Sequence, residues 1–423
     1  MKDVFKQLII DSVERTYKNI YARDTKFTLY DGKANCLIGV RRCGKTSLMQ
    51  ATIVQLREKV KPENTVYINL EDDRLFPLKL SNLNDFIEAY YELYPKKRNE
   101  KVYFFIDEIQ VVDGWEKFVR RLIDTENCCV VLSGSSAKLL SKEIHTSLRG
   151  RSISTEVQPL SFKEYLRFKN INSESLGTRN QSFIKNSLAE YLGKGGFPEL
   201  ADIPLAETRS FLQEYKDLII YRDLVERYNI RELFPLRYLI NHVFRNMGTL
   251  FSVNKMNNDL KSQGISIGKS TLYDYVAKLR DCFAIYTVPV FSTSIKEQNR
   301  NPQKMYAVDN GFALTVTTNI EYSKCYENIT YLHLRKKYGE ELFYWKGKQE
   351  VDFYAPRDKT LVNVSYDLTN KQTYDREVNG LLEAMRALKL KKATLVTSSK
   401  NEVLGIDGLE ISITPLWKWL LET

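Results

Sequence analysis

A chain of 423 residues has room for about two to four domains, and its 43% hydrophobic and 27% charged residues are globular proportions. Its apolar runs are only strand-length, which excludes a membrane-spanning helix. Six scattered cysteines without zinc-ligand spacing and three histidines (His145, His242, His333) argue against a disulfide framework and a histidine metal site. Met1-Lys2-Asp3-Val4-Phe5-Lys6 has no leader pattern, so a cytoplasmic protein with reduced thiols is expected. The net charge of +10 suits a nucleic-acid partner without requiring one.

Residues 1–33 predict an amphipathic helix (Val4, Leu8, Ile9, Val13) and a basic, tyrosine-bearing stretch that packs onto the domain behind it. The apolar run Cys36-Leu37-Ile38 then ends at Gly39, and Val40-Arg41-Arg42-Cys43-Gly44-Lys45-Thr46-Ser47 leads into a helix-compatible stretch. Strand, glycine-bounded loop and helix in the pattern G-x-x-x-x-G-K-[ST] form a phosphate-binding loop. Glycines let backbone N–H groups turn around an anion, and the helix N-terminus adds positive dipole. Lys45 suits the β- and γ-phosphates of ATP, and the Thr46 hydroxyl suits Mg2+.

A second strand, Asn64–Leu70, ends in Glu71 and Asp72, and a helix is expected over Leu83–Tyr94. Lys101–Ile106 is apolar on both faces, as a central parallel strand is, and ends in Asp107-Glu108. At the carboxyl end of such a strand, Asp107 can hold Mg2+ and Glu108 can polarise an attacking water. The fourth strand, Cys128–Leu132, runs into Ser133-Gly134-Ser135-Ser136. Ser135, or else Ser136, is placed to read the γ-phosphate; either could equally cap the next helix. Beyond that helix (137–148), Arg151 opens a fifth strand and is a candidate finger toward a neighbouring subunit's phosphate, or a surface arginine paired locally. Repeated strand–helix units predict a parallel sheet with helices on both faces.

These stretches, with Pro159–Leu166, Gly195-Gly196-Phe197-Pro198-Glu199 and Tyr221–Tyr228, resemble a prokaryotic AAA-type ATPase family over nearly the whole chain. Its members carry a C-terminal domain of unknown function related to restriction-type nucleases. A finger at Arg151 acting on a neighbouring subunit requires an oligomer, and a homo-oligomer is expected. Gly196-Phe197-Pro198 is also similar to the glycine-x-proline motif of signal-transduction ATPases, which implies that Pro198 packs near the adenine; a plain Gly-Gly-x-Pro turn would look the same.

The expected fold is α/β: a P-loop AAA-type parallel sheet (34–159) behind the N-terminal segment (1–33), a helical lid (160–235), a winged helix (236–318) and a C-terminal restriction-nuclease-like domain (319–423). The winged helix follows from helix, turn, helix and ribbon. Its second helix offers Lys269, Ser270, Tyr273 and Lys278 to DNA, though many winged helices bind protein or are structural. A nuclease of this fold needs Asp on one strand and Glu-x-Lys on the next. Asp352 matches, with Glu350 on the same face, but Asn363 and Ser365 stand at the other two positions, and only a migrated lysine such as Lys371 would compensate. The tail is expected to keep the fold and lose cleavage. Two partner classes remain open: DNA, or a protein bound by the C-terminal domains.

Overall fold

The computed structural model describes residues 1–18, 20–134, 146, 148–174 and 177–422, with Asn299 described by its backbone alone. The chain forms two compact units, Met1–Gln158 and Pro159–Thr423.

The first unit is built on a five-stranded sheet. Its strands are β1 (Ala34–Ile38), β2 (Thr65–Asn69), β3 (Val102–Asp107), β4 (Cys128–Gly134) and β5 (Ser152–Glu156). They lie in the order β2-β3-β4-β1-β5, every pair parallel. All five positions of β1 are buried, so both of its faces are covered. Helices α1 (Lys2–Glu14), α2 (Lys45–Arg57), α3 (Asn82–Leu93) and α4 (Trp115–Thr125) accompany the sheet. α1 packs on α3 and β2 through Phe5, Leu8, Ile9 and Ser12, with the Phe5 and Phe86 rings 5.7 Å apart. The buried stripe is thus rotated from the Val4–Val13 face expected, because Ser12 is drawn inside to accept the Tyr67 N–H at 2.7 Å.

The second unit opens with α5 (Phe162–Phe168), whose N-terminus carries a capping box between Ser161 and Glu164. α6 (Thr178–Lys194) and α7 (Leu205–Leu218) follow. Beyond α7 the helix widens into π-helical turns over Ile219–Glu226, where the fully buried Asp223 pairs with Arg227 at 3.5 Å. Next come α8 (Leu233–Arg245), β6 (Leu250–Phe251), α9 (Val253–Ser262), α10 (Lys269–Asp281), β7 (Ile285–Val288), α11 (Ile295–Arg300) and β8 (Gln303–Ala307). The three strands pair antiparallel in the order β6-β8-β7.

A mixed six-stranded sheet completes this unit, in the order β13-β14-β12-β11-β10-β9. Its elements in chain order are α12 (Tyr322–Tyr338), β9 (Phe343–Lys346), β10 (Glu350–Ala355), β11 (Thr360–Val364), α13 (Lys371–Leu388), β12 (Lys392–Thr397), β13 (Glu402–Ile406), β14 (Leu409–Pro415) and α14 (Leu416–Glu422). β9, β10 and β11 form an antiparallel meander, and β11, β12 and β14 run parallel. α13 closes one core through Val378, Leu381, Leu382 and Met385. No helix among the described residues is long and apolar enough to cross a membrane.

Candidate nucleotide site

The loop between β1 and α2 is held by its glycines. Gly39 has φ +144°, and a Cβ there would lie 2.2 Å from the Val157 carbonyl oxygen, on the strand side of the loop. Gly44, with φ +102°, starts α2 from a left-handed conformation that few other residues adopt. Lys45 follows as the first helical residue and is 5% exposed; its Nζ donates to the carbonyl oxygens of Gly39 at 2.9 Å and Val40 at 3.0 Å. The ammonium therefore lies inside the cup of its own loop. Ser47 is exposed at the third helical position, Arg41 lies 3.8 Å from Glu71, and Arg42 is exposed with φ +63°. Cys43 is fully buried, and burial pushes its thiol up against the opposing pull of Lys45 and Arg23.

β4 lies between β1 and β3, so Asp107 reaches the loop across one intervening strand. The reach is nevertheless direct, since the Thr46 hydroxyl donates to Asp107 Oδ2 at 2.8 Å. Two further hydroxyls meet this carboxylate. Tyr67 on β2 donates to Oδ2 at 2.7 Å, and Ser133 on β4 donates to Oδ1. Burial, and then Asp107, raise the Tyr67 phenol. Asp107 is 2% exposed, and its described partners are these neutral groups.

Glu108 takes a left-handed backbone conformation (φ +54°), with its N–H donating to Ser133 Oγ at 3.2 Å and its carboxylate accepting from Gln110. Burial pushes its carboxyl up; Lys45 opposes the shift, and Asp107 adds to it. Lys45, Thr46, Asp107 and Glu108 are thus brought to one end of the sheet, the carboxyl ends of β1 and β3.

Other candidates fall elsewhere. Ser135 and Ser136 lie outside the described residues. Arg151 forms an ion pair with Asp124 of α4, and its carbonyl accepts the Ala34 N–H at 2.7 Å. That fixes it at the start of β1, a strand's length of about 15 Å from this chain's own phosphate loop. Pro198 opens a single 3-10 turn (Pro198–Leu200) in the second unit. The glycines before it have a local cause: the buried Asp309 carboxylate accepts from Gly196 N–H at 2.7 Å and Gly311 N–H at 2.8 Å. A Cβ on Gly195 would lie 1.6 Å from Asp309 Oδ1.

On α10, Lys269, Ser270 and Tyr273 are exposed, but Lys278 is drawn to Asp274 at 2.6 Å and stands 5.0 Å over the Tyr228 ring. Asp352 and Asn363 do face each other across β10 and β11, the Asp352 N–H donating to Asn363 Oδ1 at 3.0 Å. Lys371 is exposed at the first turn of α13.

Three contributors escape the motifs. Tyr67 sits inside an apolar strand run opposite Phe105 and reaches Asp107 from the neighbouring strand, and Ser133 stands at the polar end of β4. Arg23, in the stretch before β1, donates to the Cys43 carbonyl at 3.0 Å and the Gln158 carbonyl at 2.6 Å.

A family model for an AAA domain matches residues 31–166, and one for a domain of unknown function, DUF8612, matches residues 185–323. The uncharacterized protein MJ1544 of Methanocaldococcus jannaschii is 36% identical, covering 99% of this chain and 96% of its own length. An uncharacterized protein of Haemophilus influenzae is 32% identical, covering 90% and 92%. Among solved structures, the Walker-type ATPase PABY2304 of Pyrococcus abyssi is similar with a TM-score of 0.42 and 16% identity, over 75% of this chain and 95% of that one. With a phosphate loop facing Asp107 and 36% identity along almost its entire length, the chain belongs to the same family as MJ1544, an AAA-type P-loop ATPase family, and carries a domain of unknown function behind its AAA domain.

Proposed function

We propose that the protein binds ATP with Mg2+ and hydrolyses it, using the cycle as a conformational switch or motor that acts on DNA. The observation that carries this reading is the Thr46 hydroxyl on Asp107 Oδ2 at 2.8 Å, beside a buried Lys45. A hydroxyl and a carboxylate that already meet are a fitting donor pair for a hard, oxygen-seeking ion. Thr46 and Asp107 would hold Mg2+, which supplies charge neutralisation of the phosphates. The loop residues Gly39, Arg41, Arg42, Cys43, Gly44 and Ser47 frame the phosphates through their backbone. Lys45 exchanges its two carbonyl partners for phosphate oxygens. Glu108 orients and deprotonates the attacking water, and its burial favours that role by lifting its pKa toward neutrality.

Arg151 acts in trans, in a homo-oligomer. Its place at the amino end of β1 supports a role toward a neighbour, and Asp124 is the partner it would have to leave. Ser135 near the γ-phosphate and Pro198 near the adenine remain part of this reading on sequence grounds. Residues 160–235 serve as the lid and 236–318 as a winged helix, whose order of α8, β6, α9, α10, β7 and β8 supports that assignment. Residues 319–423 form a nuclease-like module that binds without cutting. The meander placing Asp352 opposite Asn363 supports the likeness, and the neutral Asn363 supports the loss. Six free cysteines suit the cytoplasm.

The test is ATP turnover with and without duplex, branched and single-stranded DNA, beside an assay for cleavage in Mg2+ or Mn2+. Stimulation by one DNA form and no cleavage are expected. Turnover unchanged by every form removes the DNA reading. A protein partner is the second reading, favoured by Lys278 being held by Asp274 and by the exposure of Tyr273, Phe234 and Ile295 on the α8–α11 stretch.

A further inference from the structure

Lys304 lies in β8 and is 2% exposed. Side chains two apart on a strand share a face, and Lys304 and Tyr306 both meet Glu327 of α12, at 3.0 and 2.8 Å. From the six-stranded sheet, Glu350 and Asp352 of β10 reach the same ammonium at 2.8 and 2.7 Å. An ammonium has three protons to give and no lone pair, and here three carboxylates surround it. The other Asp352 oxygen accepts the Val364 N–H at 2.8 Å. Asn363, where a nuclease would carry Glu, donates from Nδ2 to Glu377 at 2.7 Å.

A nuclease-like fold implies a divalent ion between such acids. These residues do not fit one. One acid is a neutral amide, and the oxygens that remain are already taken by a covalently tethered cation. Among the described residues, no group of three His, Cys, Asp or Glu is arranged to hold a metal ion. Burial works against charge on Lys304, but Asp352, Glu327 and Glu350 outweigh it and hold the amine well above the ordinary lysine value. Burial and Asp352 push Glu327 up, with Lys304 opposing.

We infer that Lys304 is the resident cation of the Glu327–Glu350–Asp352 cluster, standing where a divalent ion would, so that the cluster fastens the three-stranded sheet to the six-stranded sheet and takes no metal. This deepens the reading of the tail as a module that does not cut, and it rests on geometry independent of the ATP site. The lysine belongs to the β6-β8-β7 sheet, the carboxylates to α12 and β10. Charge pairing across that seam holds both sheets in one unit, whereas a metal would join only groups of the tail.

The experiment uses the full chain without nucleotide, so its outcome is separable from that of the ATPase reading. Mn2+ binding is followed by electron paramagnetic resonance in the wild type and in Asp352→Asn, and thermal unfolding is followed with and without Mn2+. The two titrations should coincide, and the wild-type Tm should not respond to the ion. Lys304→Met leaves the buried Asp352 and the neighbouring Glu327 and Glu350 without their counter-charge, which should lower Tm by about 10 °C. Millimolar Mn2+ should recover part of that loss. An equivalent of Mn2+ bound by the wild type and lost in Asp352→Asn would overturn the inference, as would a Lys304→Met protein with the wild-type Tm. If Lys304→Met does not fold, the comparison of wild type with Asp352→Asn decides alone.

Discussion

Two buried aspartates, one in each unit, face opposite company. Asp107 is met by the hydroxyls of Thr46, Tyr67 and Ser133; Asp352 is met by the Lys304 ammonium and the Val364 amide. A hydroxyl can turn its proton away and offer a lone pair instead, so the first cage can rearrange around an arriving ion. An ammonium has no lone pair and cannot leave without stranding charge in a low-dielectric interior. The first site is therefore open to exchange and the second is closed. Acidic residues at strand positions carry little meaning until their donors are known.

The comparison breaks first at Glu108. Glu108→Gln should keep ATP affinity and lower turnover by about 100- to 10,000-fold, measured as phosphate release beside nucleotide binding. The base acts when ionised, and burial lifts its pKa. Wild-type turnover should therefore fall as pH drops through a value above the ordinary glutamate range, and Glu108→Gln should lose that limb. Wild-type rates in Glu108→Gln would show that the first site does not work as described.

Lys45→Ala comes next. It removes the buried charge that the proposed site turns toward the phosphates, worth about 2–3 kcal/mol, so ATP affinity should fall roughly 100-fold by calorimetry. Tyr67→Phe sharpens the idea of an exchangeable cage. It deletes one hydrogen bond, about 1 kcal/mol, and should shift the Mg2+ concentration that half-saturates turnover by about fivefold while leaving ATP affinity without metal unchanged. An effect on stability alone would make Tyr67 a packing residue.

The smallest expected effect comes from a third carboxylate, Asp309, held by two amide N–H groups. Burial pushes it up to about 7 against those hydrogen bonds. The folded state therefore binds this proton more tightly than the unfolded chain, whose value is near 3.8. Stability contributed here is full below that lower value and is lost as pH rises through about 7. Tm should fall by a few degrees between pH 5 and pH 8, and Asp309→Asn should flatten the slope. An unchanged slope in the variant assigns the titration to another group.

What was legible followed from contiguity. Gly39 to Ser47 and Val102 to Glu108 each place their chemistry within a single strand–turn segment, so pattern alone located them. Tyr67 is hidden because a hydroxyl inside an apolar run resembles any other core residue until the fold sets β2 beside β3. Ser133 lies in the polar end of β4, where the pattern alone favours Ser135 over it. The lysine that meets Asp352 is hidden for a sharper reason. The motif expects it two residues after Asn363, yet it arrives from β8, 48 positions before Asp352, in a short strand whose polar residue would ordinarily face water. Helical spacing shows which face of α10 Lys278 occupies but not that Asp274, one turn earlier, pairs with it.

Arg23 has a mechanical consequence. Its guanidinium grips the Cys43 carbonyl inside the phosphate loop and the Gln158 carbonyl, the last residue before the second unit begins. A guanidinium is rigid and planar, so its two grips cannot move independently. Any displacement of the loop that carries the Cys43 carbonyl must either pull on the end of the first unit or break a bond to it. The loop thus has a tether to the point where the chain leaves the first unit, supplied by a residue outside the loop's own motif.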